Sequence, residues 1–141
     1  MRMKSRKAAV VASALAMTLS GLVAGGTTAG AATQSDVGIQ ACYDTARSYY
    51  KPEGSYYYPS GYPGGTWLTA TSNCNDINIR TNSNRWVRVC FDPTSGSPYC
   101  QDEYTYAESG QWAVIATAVL NGTKFKFQFW SGPVATGSWA A

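Results

Sequence analysis

Glu53, Asp92, Asp102, Glu103 and Glu108 are the side chains here with the most obvious catalytic potential, because cleavage of a glycosidic bond needs no more than two carboxylates. Their spacing builds no pair. Asp102 and Glu103 are adjacent, and neighbours on a strand point to opposite faces, so these acids read as solvated surface groups. The 141 residues contain no histidine, which removes Ser-His-Asp and Cys-His nucleophile systems and the commonest ligand of zinc and copper. The chain therefore reads as a non-enzyme without cofactor or metal. Asn73, Asn75, Asp76 and Asn78 offer calcium only one carboxylate, and turn chemistry explains them better.

Binding chemistry is better represented. If Cys90 and Cys100 oppose each other in a hairpin of 85–91 with 99–106, then Arg88 faces Asp102 and Trp86 faces Tyr104. Flat rings flanked by hydrogen-bonding charges suit a sugar ring or an aromatic ligand on an open sheet face. The plainer alternative is a cross-strand ion pair of about 0–1 kcal/mol. A second candidate is the loop 51–65, with Tyr56, Tyr57, Tyr58 and Tyr62 among prolines and glycines. Tyrosines on an irregular loop give large contact area at low entropic cost, although the same rings can instead close an open end of the fold.

The four cysteines, Cys42, Cys74, Cys90 and Cys100, include no Cys-x-x-Cys, so two disulfides are expected rather than a zinc site. The register argument pairs Cys90 with Cys100, and Cys42–Cys74 follows by exhaustion. The loop 92–98 between the first two has the form of a rigid display loop of an enzyme inhibitor, but Thr94-Ser95-Gly96 provides no large anchor.

These positions need strands to hold them. The strongest strand signal is 111–130: Trp112, Val114, Ala116, Ala118 and Leu120 alternate before Asn121-Gly122, and Phe125, Phe127 and Phe129 alternate after it. The pattern predicts a two-residue type I′ hairpin in which Ala118 faces Phe125, Ala116 faces Phe127 and Val114 faces Phe129, with the phenylalanines turned to the core. Shorter strands are expected at 66–71 and 77–80, with a last edge strand at 134–139. The segment 43–50 fits helix and strand equally, and no helix beyond two turns is expected. Short strands and frequent turns predict an all-β fold, a small disulfide-bonded antiparallel β-sandwich or open barrel.

Residues 1–31 carry Arg2, Lys4, Arg6 and Lys7, then an apolar run to Ala24 and a small-residue Ala29-Gly30-Ala31 site, the pattern of a secretory signal peptide. Glycine and threonine dilute the run below the roughly 20 apolar residues of a spanning helix. This segment holds four of the eleven basic residues, leaving seven against eight acidic, so the net charge of +3 makes no case for nucleic acid. Beyond it, a flexible stretch at 32–41 and one domain at 42–141 are expected.

Cys-Asn-Asp-Ile-Asn-Ile-Arg at 74–80, and Gly-Gln-Trp-Ala-Val-Ile-Ala-Thr with Asn-Gly-Thr-Lys-Phe-Lys-Phe within 110–127, resemble small secreted actinobacterial (Streptomyces-type) proteins without an assigned activity. The resemblance implies export by a Gram-positive soil bacterium and brings no catalytic or binding residue with it. Together these readings describe a monomeric extracellular binding domain for a glycan or cell-wall polymer, with a secreted inhibitor of a hydrolase as the alternative. The partner is an extracellular polysaccharide or a secreted protein, not nucleic acid, and no membrane span remains after signal cleavage.

Overall fold

A computed structural model describes residues 34–141; the expected leader at 1–31 lies outside the described residues. One helix, α1 (Gln34–Asp44), precedes ten strands: β1 (Arg47–Lys51), β2 (Tyr57–Tyr58), β3 (Leu68–Thr69), β4 (Ile77–Thr81), β5 (Arg85–Asp92), β6 (Tyr99–Cys100), β7 (Thr105–Ala107), β8 (Trp112–Ala116), β9 (Lys124–Phe129) and β10 (Ala135–Ala140). They form two open antiparallel sheets. The four-stranded sheet runs β1-β10-β4-β8; the six-stranded sheet runs β2-β9-β5-β6, with β3 also on β9 and β7 also on β5. The fold is an all-β sandwich, and its disulfides are Cys42–Cys74 and Cys90–Cys100.

Period-two alternation explains the core. Phe125, Phe127 and Phe129 on β9 and Val87 and Val89 on β5 are fully buried from one sheet, and Ile77 and Ile79 on β4 meet them from the other. Rings bridge the layers: Phe125 meets Trp139 edge-on at 5.7 Å, and Tyr49 lies 5.9 Å from Phe129. On β5, therefore, the buried side is Val87, Val89 and Phe91, while Trp86 and Arg88 point outward.

Four expectations are corrected. The 111–130 segment is not a hairpin: β8 pairs with β4 and β9 with β5, in different sheets, so Ala118, Ala116 and Val114 do not face the phenylalanines. The cause is local. The Ala118 amide donates to the Asp76 carboxylate at 3.0 Å and the Val119 amide to the Asn75 carbonyl at 2.7 Å, which draws the chain away after Ala116. The Leu120–Thr123 turn then needs positive φ only at Gly122, at 87°, as in a type II turn, so it lacks the type I′ twist.

In the second hairpin Cys90 faces Cys100 as expected, but Trp86 faces Tyr106, not Tyr104. The register shifts because Gln101 enters the ladder with its side chain: the Val89 amide donates to Gln101 Oε1 at 2.8 Å, and Gln101 Nε2 donates to the Ile115 carbonyl at 3.0 Å. The strand expected at the edge near 134–139 is instead inside its sheet, between β1 and β4.

Finally, the segment expected to be loose is helical from Gln34, and α1 is longer than two turns. It ends where the Thr45 amide and hydroxyl both donate to the Cys42 carbonyl, at 3.2 and 2.8 Å. Its last turn is held to the body by Cys42–Cys74 and by Tyr43 stacked on Trp112 at 4.4 Å. No helix among the described residues is long and apolar enough to cross a membrane.

Candidate functional site: the outer face of the six-stranded sheet

The two sheets differ in what covers them. The outer face of the four-stranded sheet carries the Cys42–Cys74 bridge, Ala140 and the Tyr43–Trp112 stack. The outer face of the six-stranded sheet carries rings that stay open to water: Trp130 is 68%, Trp86 50% and Tyr106 46% exposed.

Strand pairing arranges this face in rows. One row runs Trp130, Trp86 and Tyr106, with the Trp130 amide donating to the Trp86 carbonyl at 3.0 Å and the Trp86 and Tyr106 rings 5.1 Å apart. The next runs Tyr57, Gln128 and Arg88, all in register across β2, β9 and β5. Arg88 Nε donates to Gln128 Oε1 at 2.7 Å and Nη1 to the Gln101 carbonyl at 2.7 Å, and the guanidinium lies 4.5 Å from the Tyr104 ring centre. Tyr104 in turn meets Trp130 edge-on at 5.1 Å, which joins the two rows. Rows on one face repeat every second residue, about 7 Å apart, on strands about 4.8 Å apart.

At the β2 end, Tyr57 and Tyr62 stack nearly parallel at 5.0 Å, and Tyr62 meets Trp67 at 6.2 Å. The loop bearing Tyr62 is held from below by Lys126, the outward-facing residue of β9 one row further on. Lys126 is fully buried; its Nζ donates to the carbonyls of Ser60 at 3.4 Å, Gly61, and Gly64 at 2.7 Å, and lies 4.7 Å from the Trp67 ring centre. Burial lowers its pKa, with Asp92 opposing the shift. Lys51 does the same for the neighbouring loop, fully buried and donating to the carbonyls of Ser55 at 2.7 Å and Gly132 at 3.0 Å. Burial holds the Tyr57 hydroxyl above its ordinary pKa, with Tyr62 and Tyr104 adding and Arg88 opposing.

The structure thus gathers Trp86, Arg88, Tyr104, Tyr57 and Tyr62 on one surface. It leaves the remaining candidates elsewhere. Tyr58 packs against the core, 5.3 Å from Tyr49, and Tyr56 lies beside Gly132. Asp102 offers Arg88 only its backbone carbonyl, at 3.4 Å, so the expected cross-strand ion pair is not formed; the ladder with β5 stops at Cys100 and resumes only at Thr105. Sequence reasoning did not select Trp130, Tyr106, Trp67, Gln128 or Lys126. Alternation along β9 was the usable signal, since Lys124, Lys126 and Gln128 all lie opposite the phenylalanines.

Two clefts open elsewhere on the described residues, one of about 390 Å³ between α1 and 72–78, the other of about 470 Å³ between 91–94 and 120–124. The first has Asp76 as its one carboxylate and the second Asp92, so neither assembles a carboxylate pair. No group of three potential metal ligands occurs among the described residues. No protein-family model, curated protein or solved structure matches this chain.

Proposed function

We propose that this chain is an exported binding domain that holds an extracellular glycan or cell-wall polymer on the outer face of its six-stranded sheet. The observation that carries the reading is the open surface on which Trp86, Tyr106, Trp130, Tyr104, Tyr57 and Tyr62 surround the polar pair Arg88–Gln128. Contiguous exposed apolar area on a small domain marks an interaction surface, and rings with a few fixed polar groups suit the apolar faces and hydroxyls of a sugar. The signal-peptide pattern at 1–31 and the two disulfides support an oxidising destination outside the cell.

Pull-down on insoluble chitin, cellulose and purified cell wall tests this: the protein should be depleted from solution at micromolar concentration. Trp86→Ala and Tyr104→Ala should each weaken binding by about 1–3 kcal/mol, by analogy with stacking of nucleic-acid bases on aromatic side chains. Tyr50→Ala, exposed on the other sheet, is the control. An equal loss with Tyr50→Ala would show that the effect was stability, and the platform would be withdrawn.

A second reading, inhibition of a secreted hydrolase, is favoured by the exposed residues 94–97 above Cys90–Cys100 and by Leu120, 79% exposed on the same cleft. No depletion on any polymer, together with inhibition in a protease and amylase panel, would select it.

A further inference from the structure

We infer that the polymer bound on this face is an acidic one, and that Arg88 receives its carboxylate. The inference rests on the glycan reading above and names the ligand class.

Arg88 meets only neutral acceptors: Gln128 Oε1 at 2.7 Å, the Gln101 carbonyl at 2.7 Å and the Asp102 carbonyl at 3.4 Å. No carboxylate is among its partners, so this half-buried cation makes no direct ion pair among the described residues. Nε and Nη1 are occupied, and the plane is fixed over the Tyr104 ring, which leaves the Nη2 end as the free tine of the fork. Nη2 has no hydrogen-bond partner among the described residues and is not sealed from solvent.

The surroundings are donors as well. Gln128 uses its carboxamide oxygen on Arg88 Nε, which leaves the amide N–H groups to offer outward. Tyr57 stands in the same row, and its phenol, a hydroxyl donor, has its pKa raised by burial. A guanidinium edge, an amide and a phenol together present N–H and O–H groups to an incoming ligand, and rings flank them on two sides. A carboxylate oxygen accepts a charge-assisted hydrogen bond from the Nη2 N–H groups, about twice as strong as the bond a neutral hydroxyl makes there. Asp102 and Glu103 are exposed on the adjoining loop, so long-range attraction does not favour anions. Discrimination has to come from the short-range, charge-assisted bonds of Nη2.

The test compares polygalacturonate with its carboxyl-reduced derivative of equal length, using the full chain and affinity electrophoresis. The wild type should bind the carboxylated polymer about 10-fold or more tighter, the scale of a hydrogen bond to a charged group. Arg88→Met should erase that preference with little change on the reduced polymer, and Arg88→Lys should restore only part of it. Equal binding of the two polymers by the wild type would overturn the inference, and that comparison needs no variant to fold. Equal weakening on both polymers by Arg88→Met would also overturn it. If the protein binds neither polymer and no cell-wall preparation depletes it, the glycan reading fails and takes this inference with it.

Discussion

Replacing Lys126 with methionine keeps most of the buried aliphatic stem and removes the ammonium from the carbonyls of Ser60, Gly61 and Gly64. Hydrogen bonds to charged groups contribute about 1.5–3 kcal/mol net, and the ring contact with Trp67 about 0.5–2 kcal/mol. Against this, residues 60, 61 and 64 are exposed, so water can take over their carbonyls, and the variant no longer has to desolvate a buried cation. The expected cost is about 2 kcal/mol, which is a fall of about 8–16 °C in melting temperature for a domain of this size. It should be spent locally, with the first proteolytic cuts at 59–66 and loss of the near-ultraviolet circular dichroism of the Tyr57–Tyr62 stack. Gly65→Ala should give the same local signature, since a methyl group there would come within 2.7 Å of the Ser60 carbonyl oxygen at a φ of +81°. The pH dependence has a fixed sign. Burial puts the folded pKa of Lys126 below 10.5, so between those values the unfolded chain binds more protons and stability from this group rises with pH. The stability gap between wild type and Lys126→Met should therefore widen as pH approaches 10.5. A uniform loss of melting temperature with the loop still resistant to protease would refute the local clamp, and no loss at all would show that the carbonyl cage contributes nothing.

Tyr49→Phe removes a buried hydroxyl with no partner and should leave stability at pH 7 unchanged or raise it by about 1 kcal/mol, measured by urea unfolding. Burial raises the Tyr49 pKa above 10.0, so its contribution is complete below pH 10 and is lost above it; the phenylalanine variant should decline less on the alkaline side. For the disulfides, with sequence separations of 32 and 10, chain entropy gives about 3.7 kcal/mol for Cys42–Cys74 and about 2.8 kcal/mol for Cys90–Cys100. Paired serine substitutions at Cys42 and Cys74 should lower the melting temperature more than those at Cys90 and Cys100, and the reverse order in calorimetry would contradict the loop-length argument.

What could be read from the sequence was whatever depends on near neighbours. The phenylalanine face of β9, the Cys90–Cys100 opposition and the short strand at 77–80 all follow from alternation and short spacing, and they are in the structure. Partner choice did not follow. Asn121-Gly122 is compatible with two turn types, and the contacts that decide between sheets, Asp76 with Ala118 and Asn75 with Val119, span more than forty residues. The aromatic platform was half legible for the same reason. Trp86 and Tyr104 are singled out by a register that the structure shifts by two residues, and they share the face through Arg88 and Trp130, which joins them because β9 pairs with β5. Lys126 was hidden by a sound rule, since lysines are rarely fully buried unless paired, and here the partners are backbone oxygens that no composition reveals.

The placement of β10 bears on the order in which this protein can be made. Its partners are β1 on one side and β4 on the other, and those two strands do not pair with each other. Until residues 135–140 have been made, the four-stranded sheet is a lone strand and a separate pair, β4 with β8, and Ile79 lacks its in-sheet neighbour Trp139. Such closure by distant segments is slow, because loop entropy is spent before the contacts return anything. The strands of the six-stranded sheet all precede residue 130, so that layer can pair first, and the four-stranded layer is completed only when β10 inserts between β1 and β4.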